Sequence, residues 1–253
     1  MADSVIHIPS RSRLRRVVGG RDGRYPFLEY GNTFDLARWE DDFMGDTIHG
    51  GYQSTASGTG ALAAAISTGV VNGAILLDAG TADAGRSDLS LGLHYRGDQN
   101  PVVWFKGQLN TIGSSKIELG FTDVISGTDA GAVNAKATPT FTATDAVVLV
   151  RDTNDDTALT LVGVAAGTVA AVEDFDTVIA AATEYYFGIA IRDGAARGFL
   201  LDASGILLEE TAWIASMVTS TVLLTPWAFV QNRSASNRTL RLDYMTAYQR
   251  RTT

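Results

Sequence analysis

From about Phe34 the chain breaks into short apolar runs, each the length of a strand, separated by turn residues. Leu89, Leu91, Leu93 and Tyr95 alternate with other residues and stop at Gly97-Asp98; Ile117, Leu119 and Phe121 alternate in the same way. A period of two sends successive side chains to opposite faces, so each run has one face in a core and one outside. Residues 61–66, 70–77, 102–109, 146–151, 159–164, 185–192, 197–201, 206–210, 222–230 and 240–248 complete the set. Asp193-Gly194 between two of these runs is a tight hairpin signal, and residues 152–156 form a longer turn. Strands at this spacing predict an all-β sandwich or barrel. Two stretches fall outside the pattern. Residues 169–183 are alanine-rich and read as a long loop with at most a short helix, and residues 126–144, polar and small, read as an excursion between strands. There is no internal repeat of fixed period.

Residues 1–33 lack this texture. They mix arginine and glycine with Pro9 and Pro26, and read as an extended arm ahead of a domain spanning 34–253. Charge sharpens the division. Residues 1–24 hold Arg11, Arg13, Arg15, Arg16, Arg21 and Arg24 against Asp3 and Asp22, a net of +4. The remainder holds 14 basic and 26 acidic residues, a net of −12. A basic arm on an acidic body points to an interaction tail, and the acidic body argues against nucleic-acid binding. The preference for arginine over lysine favours fixed, bidentate contacts. Tyr25, Pro26, Phe27, Leu28 and Tyr30 follow at once, an apolar cluster suited to packing on something. Arg11, Arg13, Arg15, Arg16, Arg21, Arg24, Tyr25 and Phe27 are therefore the expected partner-binding residues.

The 253 residues include no cysteine, which excludes disulfides, cysteine-ligated metals and thiol catalysis. No apolar run follows the arginines as a secretory signal requires, Asp3, Asp22, Pro9 and Gly19-Gly20 spoil a transit peptide, and no run is long enough to span a bilayer. The expectation is a protein that uses no membrane and no cofactor.

The motifs that suggest chemistry fail on context. Gly58-Thr59-Gly60-Ala61-Leu62-Ala63 has the letters of a dinucleotide loop, with Asp78 downstream, but follows a polar stretch rather than a buried strand. A turn between strands explains it. Asp152-Thr153-Asn154-Asp155-Asp156 spaces oxygens as a calcium loop does, yet Thr157 and Gly163 stand where glycine and glutamate are needed. His7, His49 and His94 share no metal-ligand spacing. Gly-x-Ser-x-Gly is absent, and Arg96-Gly97-Asp98 sits where a strand ends. Two sequons, at Asn232 and Asn237, read as polar loops. For a glycosidase the carboxylate candidates are Glu40/Asp42, Asp174/Asp176 and Glu209/Glu210.

Trp39-Glu40-Asp41-Asp42-Phe43-Met44-Gly45-Asp46 resembles an opening seen in tailed-phage virion proteins. Residues 187–194, followed by Gly198-Phe199-Leu200-Leu201-Asp202 and Gly205-Ile206-Leu207, resemble a hairpin of concanavalin-A-like (laminin-G-like) sandwiches. Leu223-Leu224-Thr225-Pro226-Trp227 and Leu240-Arg241-Leu242-Asp243-Tyr244 resemble the same phage group, so the likeness covers residues 39–248. It implies an all-β, concanavalin-A-like jelly-roll β-sandwich carrying an extended N-terminal arm. It also implies a non-enzymatic capsid decoration or cement protein at the virion surface, made in the bacterial cytoplasm. Its partners would be the phage major capsid protein and further copies of itself, as a trimer. It supplies no catalytic residues. Two alternatives stay open: a carbohydrate-binding module of a head or tail fibre, with Trp104, Trp213, Trp227 and Tyr95 as platforms, and a polysaccharide depolymerase using Glu40 and Asp42.

Overall fold

A computed structural model describes residues 36–71, 73–125, 131–136 and 138–251. Every arm residue singled out above, from Arg11 to Phe27, lies outside the described residues, as does His7.

The described chain is two stacked antiparallel sheets. Sheet A has the order β16 (Leu207–Glu210), β15 (Ala195–Asp202), β14 (Tyr185–Arg192), β7 (Val102–Leu109), β18 (Thr239–Arg250), β4 (Ile75–Asp78), β3 (Leu62–Ile66), with β1 (Leu36–Asp41) also paired to β18. Sheet B has the order β13 (Thr168–Asp174), β12 (Thr160–Ala165), β11 (Ala146–Asp152), β8 (Ser115–Thr122), β17 (Leu223–Asn232), β5 (Arg86–Ser90), β2 (Ala56–Ser57), with β6 (Tyr95–Arg96) also paired to β17. Alternate residues meet between the sheets: Val103 and Phe105 with Phe187 and Ile189 from A, Ile117, Leu119 and Phe121 with Val147 and Leu149 from B. No helix of the described residues is long and apolar enough to cross a membrane.

Most strands fall where alternation puts them, and Asp193-Gly194 turns the β14–β15 hairpin with both residues at positive φ (49° and 80°). Three expectations need correction. The run 89–95 is not one strand. It pairs with β17 as far as Trp227↔Ser90, then again at Leu224↔Tyr95, with two extra residues between. Pro226 sits at the break and has no N–H to continue the ladder; Thr225 Oγ1 instead donates to Leu91 O at 2.7 Å. The run 70–77 begins too early, since Val70 and Val71 lie in the β3–β4 connection and the strand starts at Ile75. Residues 168–174 are a strand, not a loop. Ala166 (φ 50°) and Gly167 (φ 71°) close a two-residue hairpin that lays β13 on β12, so pairing overrides alanine's helix preference.

The excursion after β8 has a structural role. It contributes β9 (Val133–Ala135) and β10 (Thr140–Phe141), which pair with each other and cover the outer face of sheet B. There Val133 packs with Trp227, Phe229, Val148, Val150 and Val162. Beneath it lie Lys116 and Glu118, both fully buried and paired at 2.8 Å. Glu118 also accepts from Ala132 N (2.7 Å), Val133 N (3.0 Å) and Trp227 Nε1 (2.9 Å). Burial pushes the Lys116 ammonium down, and the Glu118 carboxylate pulls it back.

The short motifs resolve as turns. Gly58 and Gly60 take positive φ between β2 and β3, and Asp78 accepts from Gly80 N at 2.8 Å rather than facing a nucleotide. Arg96 pairs with Asp98 at 2.5 Å across a 3₁₀ turn. In the 152–156 turn, Asp152 is held by both Arg233 Nε and Nη2, and Asp156 pairs with Lys136. Burial opposes ionisation of Asp156, but Lys136 and the Ala158 N–H outweigh it and hold the carboxyl below its usual range. Among the described residues no three His, Asp or Glu side chains converge as a metal site.

Candidate functional site

The outer face of sheet A is built differently from that of sheet B. By alternation β7 turns Val102, Trp104 and Lys106 outward, β14 turns Tyr186, Gly188 and Ala190, and β15 turns Arg197, Phe199 and Leu201. One row across the sheet reads Glu40, Thr246, Trp104, Gly188, Phe199, Glu210. Gly188 makes that row possible. A Cβ there would stand 2.4 Å from Trp104 Cζ3, so its absence lets the indole lie flat across β14 towards Phe199, 5.5 Å between centroids. Gly188→Ala should therefore tilt the indole and cost about 1–3 kcal/mol by overpacking. The check is a lowered unfolding midpoint together with a shifted tryptophan emission.

Charged pairs rim this aromatic floor. Arg197 lies over the Phe199 ring at 5.4 Å and pairs with Glu210 at 2.6 Å. Lys106 pairs with Asp243 and, at 3.1 Å, with Glu184, which Arg241 also holds at 2.9 Å. Burial opposes ionisation at both Lys106 and Glu184, but these partners outweigh it, raising the lysine and lowering the glutamate. Tyr244 donates its hydroxyl to Glu40, which also pairs with Arg38; burial, then Glu40, push that hydroxyl's pKa up. The aromatic core is withdrawn from solvent, with Trp104 2%, Tyr186 6% and Phe199 0% exposed. Leu207, Trp213, Tyr244 and Tyr248 pack around it, half-buried.

The proposed sugar platforms are not gathered on one face. Trp104 belongs to this floor and Trp213 to its edge, Trp227 is buried under the excursion on the opposite sheet, and Tyr95 is in the central core. The carboxylate pairs are likewise engaged. Asp42 is exposed past the end of β1, away from the pairing that holds Glu40. Asp174 accepts from Thr160 Oγ1 at 2.6 Å. Glu209 accepts from Asp176 N and Thr177 N at 2.8 Å each, and these bonds outweigh burial to lower its pKa. The phage-like opening has a packing role: Asp41 accepts from Phe43 N at 2.7 Å and turns Phe43, at φ 53°, into the core against Tyr52. Asn232, in the first sequon, is buried with its amide nitrogen bonded to three backbone carbonyls. His49 and His94 are both exposed. Sequence reasoning missed the floor itself, because Tyr186, Gly188 and Phe199 look like ordinary strand residues until register aligns them.

The chain matches no protein-family model and no curated protein. Solved structures do match. Peanut lectin superposes with a TM-score of 0.57 at 9% identity, over 86% of this chain and 99% of the lectin. The Bacillus licheniformis β-glucanase gives 0.56 at 10% identity, over 85% and 99%. The fold is a concanavalin-A-like jelly roll. A third jelly roll, the CBM2 module of the evolved Dit of Lactobacillus casei BL23 phage J-1, gives 0.54 at 12% identity, over 87% and 98%. Identities this low establish architecture and leave function to the site. Of the jelly roll's two outer faces, B is closed by the 131–143 excursion and A carries the aromatic floor.

Proposed function

We propose that this jelly roll is a non-enzymatic structural protein of a tailed-phage particle. In this reading it is a decoration protein that docks on the major capsid protein through its arginine arm and presents the sandwich outward. The observation that carries the reading is the division of charge, +4 over residues 1–24 against −12 over the remainder. The sandwich's own cations are largely spent internally: Arg38, Arg96, Arg197, Arg233 and Arg241 each pair with a carboxylate of the same domain. The arm is thus the part of the chain with cations in excess, suited to an acidic partner surface. Self-association, as a trimer, would present several arms at once and raise their effective concentration on a shell.

The test is sedimentation with purified capsid shells, using the full chain, a chain lacking residues 1–24, and a chain with the six arginines changed to serine. Co-sedimentation of the full chain alone, from a discrete oligomer and weakening with salt, is expected. Undiminished binding by either variant would overturn the arm's role.

A second reading, carbohydrate binding, is favoured by the lectin and the phage CBM2 module among the structural neighbours. Trp213, half-buried at the edge of the aromatic floor, is the platform residue it would use first. A monomer that ignores shells but binds a glycan on an array, with loss in Trp213→Ala, would replace the decoration reading with this one.

A further inference from the structure

We propose that the free edge of β13 is a docking strand. It takes up an extended segment of a partner protein, antiparallel to β13, whose N-terminal end carries two consecutive basic residues. This inference concerns the body alone and does not depend on what the arginines of the arm bind.

The edge itself is open. Sheet B ends on β13, seven residues reading Thr168-Val169-Ala170-Ala171-Val172-Glu173-Asp174 and paired to β12 on one side. Among the described residues, no hydrogen bond reaches residues 168–173 from anything but β12. Thr168, Ala170 and Val172 are exposed, Val172 at 41%. Such an edge is a template for a further strand, and proteins ordinarily blunt it with charge, proline, bulges or cover. The other edges here are blunted. Ser54 Oγ takes the Ala64 N–H of β3, and Ser87 Oγ takes its Leu62 carbonyl, each at 2.7 Å. β16 is four residues long and carries Glu209 and Glu210, β2 is two residues long, and β1 carries the Arg38–Glu40 pair. β13 has no proline and no basic residue, and its first five residues are uncharged. Its register to β12 shifts once, near the hairpin, and is regular from Ala171 to Asp174.

Charge selects the occupant. β13 ends on Glu173 and Asp174, both exposed. Glu173 stands opposite core-facing Leu161 and Asp174 opposite Thr160, so the two carboxylates lie on opposite faces of the sheet. Lys136 and Arg233, the cations of this end, are held by Asp156 and Asp152. Neither Glu173 nor Asp174 has an ion pair among the described residues. Like charge accumulates here: burial first, then Asp156, Asp152 and Asp174, push the Asp155 carboxyl up against the pull of Lys136. An antiparallel strand brings its N-terminal residues to this end, and two consecutive cations there would meet one carboxylate on each face. A second copy of β13 would bring no cation, and would add to a body already at −12.

The test titrates the full chain into a labelled, acetylated and amidated heptapeptide, Arg-Lys-Thr-Val-Thr-Val-Thr. Fluorescence polarisation follows binding, and amide exchange is read at residues 169–173. Saturable binding with slowed exchange on β13 is expected. Replacing Arg-Lys by Glu-Glu in the peptide should weaken it roughly five-fold or more, the effect of losing two exposed ion pairs. Glu173→Gln/Asp174→Asn in the chain should do the same, and the asparagine keeps the acceptor that Thr160 Oγ1 uses. Main-chain bonds carry strand addition, and only one edge of the peptide faces β13. Methylating one alternating set of peptide amides should therefore abolish binding, and methylating the other set should spare it. Any other response to methylation would mean recognition without strand pairing and would overturn the proposal. So would a lack of binding. Residues 169–173 already protected in the free chain would overturn it too: protection lost on dilution gives the edge to a second copy, and protection that persists gives it to the chain itself.

Discussion

Glu118→Ala is expected to cost about 4 kcal/mol or more, a large part of the ~5–15 kcal/mol that holds a domain together. The carboxylate is fully buried and answers four donors: Lys116 Nζ, the N–H groups of Ala132 and Val133, and Trp227 Nε1. Truncation takes the carboxylate away from the buried Lys116 ammonium, which keeps the Val133 carbonyl as an acceptor, and orphans three N–H groups, each worth about 1–3 kcal/mol unpaired. It also unfastens the excursion that closes sheet B. Chemical denaturation should show the lower midpoint, and amide exchange should speed up first across residues 131–135. Glu118→Gln, which keeps acceptor capacity, should lose less. Adding Lys116→Met to Glu118→Ala should recover part of the loss by removing the buried charge. An unchanged midpoint in Glu118→Ala would show that the buried pair contributes nothing to stability.

Asn232→Asp is expected to be nearly as costly at neutral pH although it changes almost no volume. The amide Nδ2 donates to the carbonyls of Ala79 (3.2 Å), Gly80 (2.8 Å) and Ala82 (2.9 Å), pinning the turn after β4 to the end of β17. A carboxylate there would present charge to three carbonyl oxygens and donate nothing, a penalty of about 3 kcal/mol or more. The pH dependence has a definite sign. The aspartate's folded pKa is raised above the unfolded value near 3.9, so the ionic penalty is absent below that value and the protonated acid can still donate once. As pH rises, the deficit against the native chain grows by about 1.4 kcal/mol per unit until the folded pKa is passed. Stability compared at pH 4.5 and pH 7 should show the gap widening; a constant gap would mean the carboxyl is ionised throughout.

Hairpin and strand placement was legible wherever a signal is local. Asp193-Gly194 needs only two residues able to take positive φ, and β7 and β14 are strand-length runs dominated by apolar residues and bounded by turn residues. Ala166-Gly167 was an equally local turn, hidden because alanine-rich flanks suggest helix until a neighbouring strand claims them. The break at Pro226 acts on β5 and β6 from more than a hundred residues away in sequence, so no window around residues 89–95 could show it.

The sequence alone determined the all-β class, the alternation that fills the core, the absence of cysteine chemistry and the split between a basic arm and an acidic body. Those are properties of composition and of neighbours in the chain. Only the tertiary structure decided which face each aromatic joined. Trp104 and Trp227 sit in similar apolar runs, yet one lies on the floor of sheet A beside Gly188 and Phe199 and the other under the excursion on sheet B, bonded to Glu118. A side chain's parity within its strand is local, but which sheet that strand joins, and what covers the sheet's far side, follow from pairing between distant segments.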